Sequence, residues 1–155
     1  MSFLPEDIIE NLVQNRRHFL KHLTGITEEQ INWKPYTECM SIKEIVAHLI
    51  SDDRAALSGL QSNSEPDYDA CQESERDYKK LLSLLEESHH SLISFLRERY
   101  GACSLHDPVI LWGEERKLGS ALAYLSAEDF YHAGQIAYIR LATNPEWDYY
   151  AQIYG

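Results

Sequence analysis

Basic side chains are scarce in this chain. Its 155 residues hold 14 Lys and Arg against 25 Asp and Glu, a formal net charge of −11. That balance opposes the counterion release that drives binding to phosphate backbones, so no nucleic-acid partner is expected. Cysteine is scarce too. Cys39, Cys71 and Cys103 form an odd set with no CxxC or other close pairing, which argues against a disulfide framework or a thiolate-ligated zinc and points to a reducing, cytoplasmic setting. No apolar run approaches the ~18 residues needed to cross a bilayer, and the opening MSFLPEDIIENL carries acids where a secretory leader needs bases, so no membrane partner is expected either. GxSxG, P-loop and GxGxxG patterns are all missing, which leaves serine hydrolase, nucleotide-phosphate and dinucleotide functions without an anchor.

What the chain does have is helical periodicity. Its hydrophobic content of 44% and its length suit one domain, residues 1–155, with a single core. Pro5, followed by Glu6 and Asp7, opens a first helix whose Ile8, Ile9, Leu12, Val13, Phe19, Leu20 and Leu23 recur at helical spacing up to Gly25. ITEEQINWKP breaks that period, and SIKE at 41–44 is a capping box that starts a second helix running to about Leu60. QSNSEPDYDA reads as a linker, and Tyr78 through Leu96 mark a third helix that stops before Gly101. GACSLHDPVILWGEERKLGS is a long connection of the kind used for a crossover. A fourth helix is predicted from near Ser120 to about Thr143. Nothing alternates with period two, so the expectation is an all-α fold, a four-helix bundle with long crossover connections.

The fourth helix carries AEDFYHAGQIAYIR, where an acid, an imidazole and an amide stand among apolar side chains. At 100° per residue, Ser126, Asp129, Ala133 and Arg140 share one side, and Tyr124, Glu128, Tyr131, His132, Gln135 and Ile139 fall on the opposite half, which is read as core-facing. A carboxylate there needs a strong partner, and a cation is one. Glu128 and His132 are one turn apart, a spacing that lets two side chains grip one metal ion. His48 in EIVAHLISDD is the best third ligand, on the flank of its helix where a pocket rim would lie, with Asp52 one turn further on. Two imidazoles and a carboxylate with open positions form a set found at reactive divalent centres. Asp52 and Gln135 are the candidates for orienting a ligand or bound water from behind.

The remaining histidines read as structural. His18 and His22 have HxxxH spacing but are placed on the polar side of the first helix. His89 is read as a core imidazole bonded to a backbone or hydroxyl group, His90 as outward-facing and His106 as a loop residue. Most of the ten Tyr and three Trp read as packing, with Tyr131, Trp33 and Trp112 as the candidates for lining a cavity.

SIKEIVAHLISDD, followed some eighty residues later by EDFYHAGQIAYIR, with ITEEQINWKP between the first two helices and NPEWDYYAQIYG at the end, resembles the DinB-like superfamily, including its YfiT-like members. The resemblance covers nearly the whole chain. It implies a four-helix bundle with long crossovers, commonly a homodimer, that binds a divalent ion such as nickel or zinc through three histidines, one from the second helix and two spaced HxxxH from the fourth. His48 matches the first of these and His132 the last, while Glu128 stands at the middle position. A carboxylate there lowers the charge of the site by one unit, weakens its Lewis acidity and favours manganese or iron(II). The resemblance further implies a transferase that uses a low-molecular-weight thiol, bacillithiol-like, on a small electrophilic substrate, or a related hydrolase. The alternative is a non-catalytic bundle for dimerisation or partner binding with a structural or vestigial metal site.

Overall fold

A computed structural model describes residues 4–155. Three of its four long helices begin where a side chain satisfies a free backbone N–H group at the helix start. In α1 (Pro5–His22), Asp7 accepts from the Leu4 N–H at 2.9 Å. In α3 (Ile42–Ser62), Ser41 Oγ accepts from the Glu44 N–H and Glu44 Oε2 accepts from the Ser41 N–H at 2.7 Å, the capping box expected from SIKE. In α5 (Tyr78–Tyr100), Asp77 accepts from the Lys80 N–H at 2.9 Å. The last long helix, α6 (Leu118–Thr143), starts two residues before Ser120. It has no side-chain cap. The carbonyls of Asp107 and Leu105 receive the N–H groups of Leu118 and Gly119 at 2.8 and 2.9 Å, and a cap made by a distant loop leaves no local mark in the sequence.

Short elements fill the connections: α2 (Glu28–Asn32), α4 (Tyr68–Cys71) and, after α6, α7 (Tyr149–Tyr154). The long crossover is not structureless. It folds into an antiparallel hairpin of β1 (Pro108–Leu111) and β2 (Glu114–Lys117), with Leu111 opposite Glu114. Trp112 and Gly113 form its two-residue turn with φ of 51° and 77°, the conformation that matches strand twist. Val109 and Leu111 point into the core, but β2 reads EERK and buries nothing fully, so no alternation signals the pair. The fold is otherwise all-α. Helix α1 packs most extensively on α6, and α3 on α5, while α1 meets α5 and α3 meets α6 over shorter seams that complete the four-helix bundle. Among the described residues, no helix is long and apolar enough to cross a membrane.

The core is divided. One apolar cluster holds Ile9, Leu12, Ala56, Leu60, Leu92, Leu96, Leu122 and Leu125, and the hairpin's Val109 and Leu111 join it. The other holds Phe19, Ile45, Val46, Leu49, Leu81, Leu85, Ala133 and Ile136. Between them each bundle helix contributes a buried polar residue to a linked layer: Arg16 on α1, Asp53 on α3, Ser88 on α5 and Asp129 on α6. Arg16 binds Asp53 through both Nη atoms at 3.1 Å and Asp129 through Nε at 2.9 Å, and Ser88 Oγ donates to Asp53 at 2.8 Å. Burial opposes the Arg16 charge, and the two carboxylates outweigh it, holding the guanidinium above its usual pKa.

This layer corrects the reading of α6. Asp129, Ala133 and Arg140 are buried, whereas Tyr124 and Tyr131 are exposed. Polarity alone does not put these side chains in solvent, because Asp129 is satisfied by Arg16, and Arg140 donates to the carbonyls of His22 and Thr24 at 2.8 and 2.7 Å. The first helix needs a similar correction. His22 is 1% exposed because it faces α6 and α7, with Tyr149 at 5.8 Å between ring centroids.

Candidate metal centre

The α3–α6 seam beside this polar layer holds two one-turn pairs, His48 with Asp52 on α3 and Glu128 with His132 on α6. One ligand atom from each of the four lies within 4.8 Å of every other. Helical geometry produces this: residues four apart project from one face, and two such faces meet across the seam. Within the pairs, His48 Nε2 lies 3.1 Å from Asp52 Oδ2, and His132 Nε2 lies 3.7 Å from Glu128 Oε2. Across the seam the two imidazole rings are 5.0 Å apart between centroids, edge to face. The three residues proposed as ligands from the sequence therefore lie together. Asp52, expected behind them, stands among them.

Gln135 does lie behind. Its Oε1 accepts from His132 Nδ1 at 2.7 Å, which fixes the proton on Nδ1 and leaves the Nε2 lone pair free. That Nε2 is buried, and among the described residues nothing donates a hydrogen bond to it. The His132 side chain is 2% exposed and that of His48 is 40% exposed, so the cluster is walled on the His132 side and open to solvent on the His48 side.

The electrostatics of the cluster suit a cation. Burial pushes the Asp52 carboxyl up to about 7, and the neighbouring Glu128 and Asp53 charges add to the shift. Burial raises Glu128 as well, against the pull of His48. Both imidazoles are lowered by burial and so are held neutral, the form that ligates metal. Among the described residues neither Asp52 nor Glu128 pairs with a Lys or Arg, since the nearby Arg16 is engaged by Asp53 and Asp129. An orphaned lone pair, two neutral imidazoles and two carboxylates without a fixed counterion fit a divalent ion of the borderline or harder kind.

A family model described as the DinB superfamily matches residues 11–136. The chain belongs to the DinB superfamily. Among solved structures, a DinB-like protein, YjoA, of Bacillus subtilis is similar over 93% of this chain and 96% of its own, with a TM-score of 0.66 and 18% identity. At that identity the likeness speaks for the DinB fold alone. Comparison with curated proteins finds no match.

The aromatic candidates of this DinB-superfamily chain divide. Trp33 and Tyr131 line one groove on the outer side of α6. Trp112 lies elsewhere, on a small void of about 20 Å³ that it shares with Asp52, Glu128, Asp129 and His89. His89 is half-buried. Both of its ring nitrogens are enclosed and unpartnered among the described residues, in contrast to the bonded core imidazole expected, and burial pushes its pKa down to about 3. Arg16, Asp53 and Asp129 carry no motif that marks them as site residues in the sequence. Asp53 and Asp129 each follow a donor directly in the chain, and that adjacency was the signal available.

Proposed function

We propose that this protein is a divalent-metal-dependent enzyme that joins a low-molecular-weight thiol to a small electrophile, with hydrolysis as the related alternative chemistry. His48, Glu128 and His132 would hold the ion, with Asp52 as a fourth donor on the open side. When bound, the ion supplies Lewis acidity, which lowers the pKa of a thiol or water at neutral pH. The observation that carries this reading is the convergence of four ligand atoms from two helices around a buried imidazole nitrogen left without a partner.

The chain's own residues supply the rest. Gln135 holds His132 in the tautomer whose Nε2 faces Glu128, and the Arg16 clamp on Asp53 and Asp129 fixes the backbone beside Asp52 and Glu128. The buried wall around His132 excludes water from one side, so thiol and electrophile would approach past His48. Wild-type protein with a divalent ion and bacillithiol or a related thiol is expected to conjugate a reactive electrophile. His48→Ala and His132→Ala should each reduce the rate to background. Undiminished activity in both variants would remove the ion from the mechanism.

The fourth donor favours a second reading, a structural centre in a non-catalytic bundle, because four protein ligands can close a tetrahedral site. A closed centre resists chelation, and its loss lowers the melting temperature. A reactive one exchanges its ion readily and retains water. Elemental analysis of protein purified without a nickel-binding tag, followed by chelation kinetics, separates the two.

A further inference from the structure

On the outer side of α6, next to the donor cluster, a groove of about 790 Å³ has the size of a small-molecule site. Its walls are aromatic: Trp33 and Tyr36 from the segment between α2 and α3, and Tyr131 and Tyr138 from α6. Tyr36, Tyr131 and Tyr138 are 73%, 64% and 69% exposed, so nothing in the described chain covers these rings. Glu38 is the one charged residue of the described lining, and no base is present there. Aromatic faces carry negative potential, and an acid at the rim adds to it.

Gly134 forms part of the groove wall. A Cβ built on it would meet nothing within 4 Å, whereas one on Gly119 would press on Leu105 at 3.3 Å. Glycine is a poor residue for the middle of a helix. Neither a turn nor the chain's own packing requires it at 134, and the missing side chain leaves room for something lying in the groove. The groove also adjoins the cluster. Gln135, which lines it, accepts from His132, and the Tyr131 ring is 5.0 Å from the His132 ring.

We infer that this groove binds a small organic cation, a quaternary ammonium group, seated on the aromatic walls beside Glu38. This binding is independent of the metal-centre reading above. A second copy of the chain fits the same face poorly, because each copy brings a net charge of −11 and a groove lining without a base.

The test follows the indole N–H resonance of Trp33, assigned with Trp33→Phe, in chelator-treated protein. The probes are phenyltrimethylammonium, benzyl alcohol and phenylacetate. The cation should saturate and bind about tenfold more tightly than the neutral probe, with the anion weaker still. Glu38→Gln should reduce the cation's advantage about threefold. Gly134→Leu should weaken cation binding by about tenfold or more while holding or raising the melting temperature, since it replaces a helical glycine. Absence of saturation, equal binding of the three probes, or wild-type binding by Gly134→Leu overturns the proposal. A wild-type dimer that Gly134→Leu converts to monomer also overturns it, assigning the face to a second copy. Protein that binds the cation with this preference but takes up no divalent ion keeps the groove and fails the metal-centre reading alone.

Discussion

Arg16 and Asp129 are 113 residues apart in sequence and joined by a 2.9 Å charge-assisted hydrogen bond inside the bundle. The other face of the same guanidinium holds Asp53. Removing Arg16 leaves two buried carboxylates unpaired. Arg16→Met is expected to lower unfolding stability by about 3–5 kcal/mol, since breaking a buried ion pair strands its partner. Arg16→Lys should recover only part of this, because an ammonium cannot reproduce the fork that reaches both acids. Urea titration of the three proteins measures it.

His132 and Gln135 provide a more local prediction. Gln135→Leu removes the acceptor that keeps the His132 proton on Nδ1, and divalent-ion affinity should fall about 10–100-fold, the usual effect of losing such a partner. Because Gln135 is only partly buried, the melting temperature of metal-free protein should change little. Competition against a chromogenic chelator reads the affinity. Unchanged affinity would detach Gln135 from the centre.

Ion binding to the folded state alone raises its stability. At a free ion concentration of about 100 Kd the gain is about 2.7 kcal/mol, or roughly 5–11 °C in melting temperature for a chain of this size. His132→Ala should abolish that shift. Thermal melts with and without manganese, zinc and nickel measure it and rank the metals together.

His89 sets a pH dependence. Its folded pKa is pushed by burial down to about 3 from the usual imidazole value of 6.5. The unfolded chain therefore takes up the proton first, and the stability contribution is complete above pH 6.5 and is lost as pH falls from there toward 3. The groups around it are Arg16 from α1, Asp52 and Asp53 from α3, Glu128 and Asp129 from α6, and His90 on its own helix. Between pH 7.5 and 5 the loss is about 2 kcal/mol. In His89→Leu, measured with chelator present, that part of the slope should vanish. An unchanged slope would mean that His89 finds a partner on protonation.

Much of this arrangement was legible in the sequence because its signals are local. The Ser41–Glu44 box, Pro5 and the spacing of apolar residues on α1, α3 and α5 depend on neighbours within one or two turns. The grouping of His48, Glu128 and His132 was open to reading through the one-turn spacing of Glu128 and His132, which is also local, whereas the angle assigned to the core-facing half of α6 was not. The burial of Asp129 and His22 was not, since it depends on Arg16, α6 and α7 arriving from far along the chain. The hairpin escaped notice because its second strand is charged throughout and its turn uses Trp112 where Asn or Gly would announce it.

The polar layer also fixes how the helices slide against one another. A slip of one turn, about 5.4 Å, would carry Leu125 or Ala133 to the level of Arg16 and move Asp129 into an apolar cluster. An all-aliphatic core would tolerate such a shift with modest repacking, but here the slipped bundle would bury a guanidinium and a carboxylate apart from each other. The layer therefore indexes the alignment of α3 against α6. Four donors drawn from two helices fall within a few ångströms of a common point only at the setting that the layer selects.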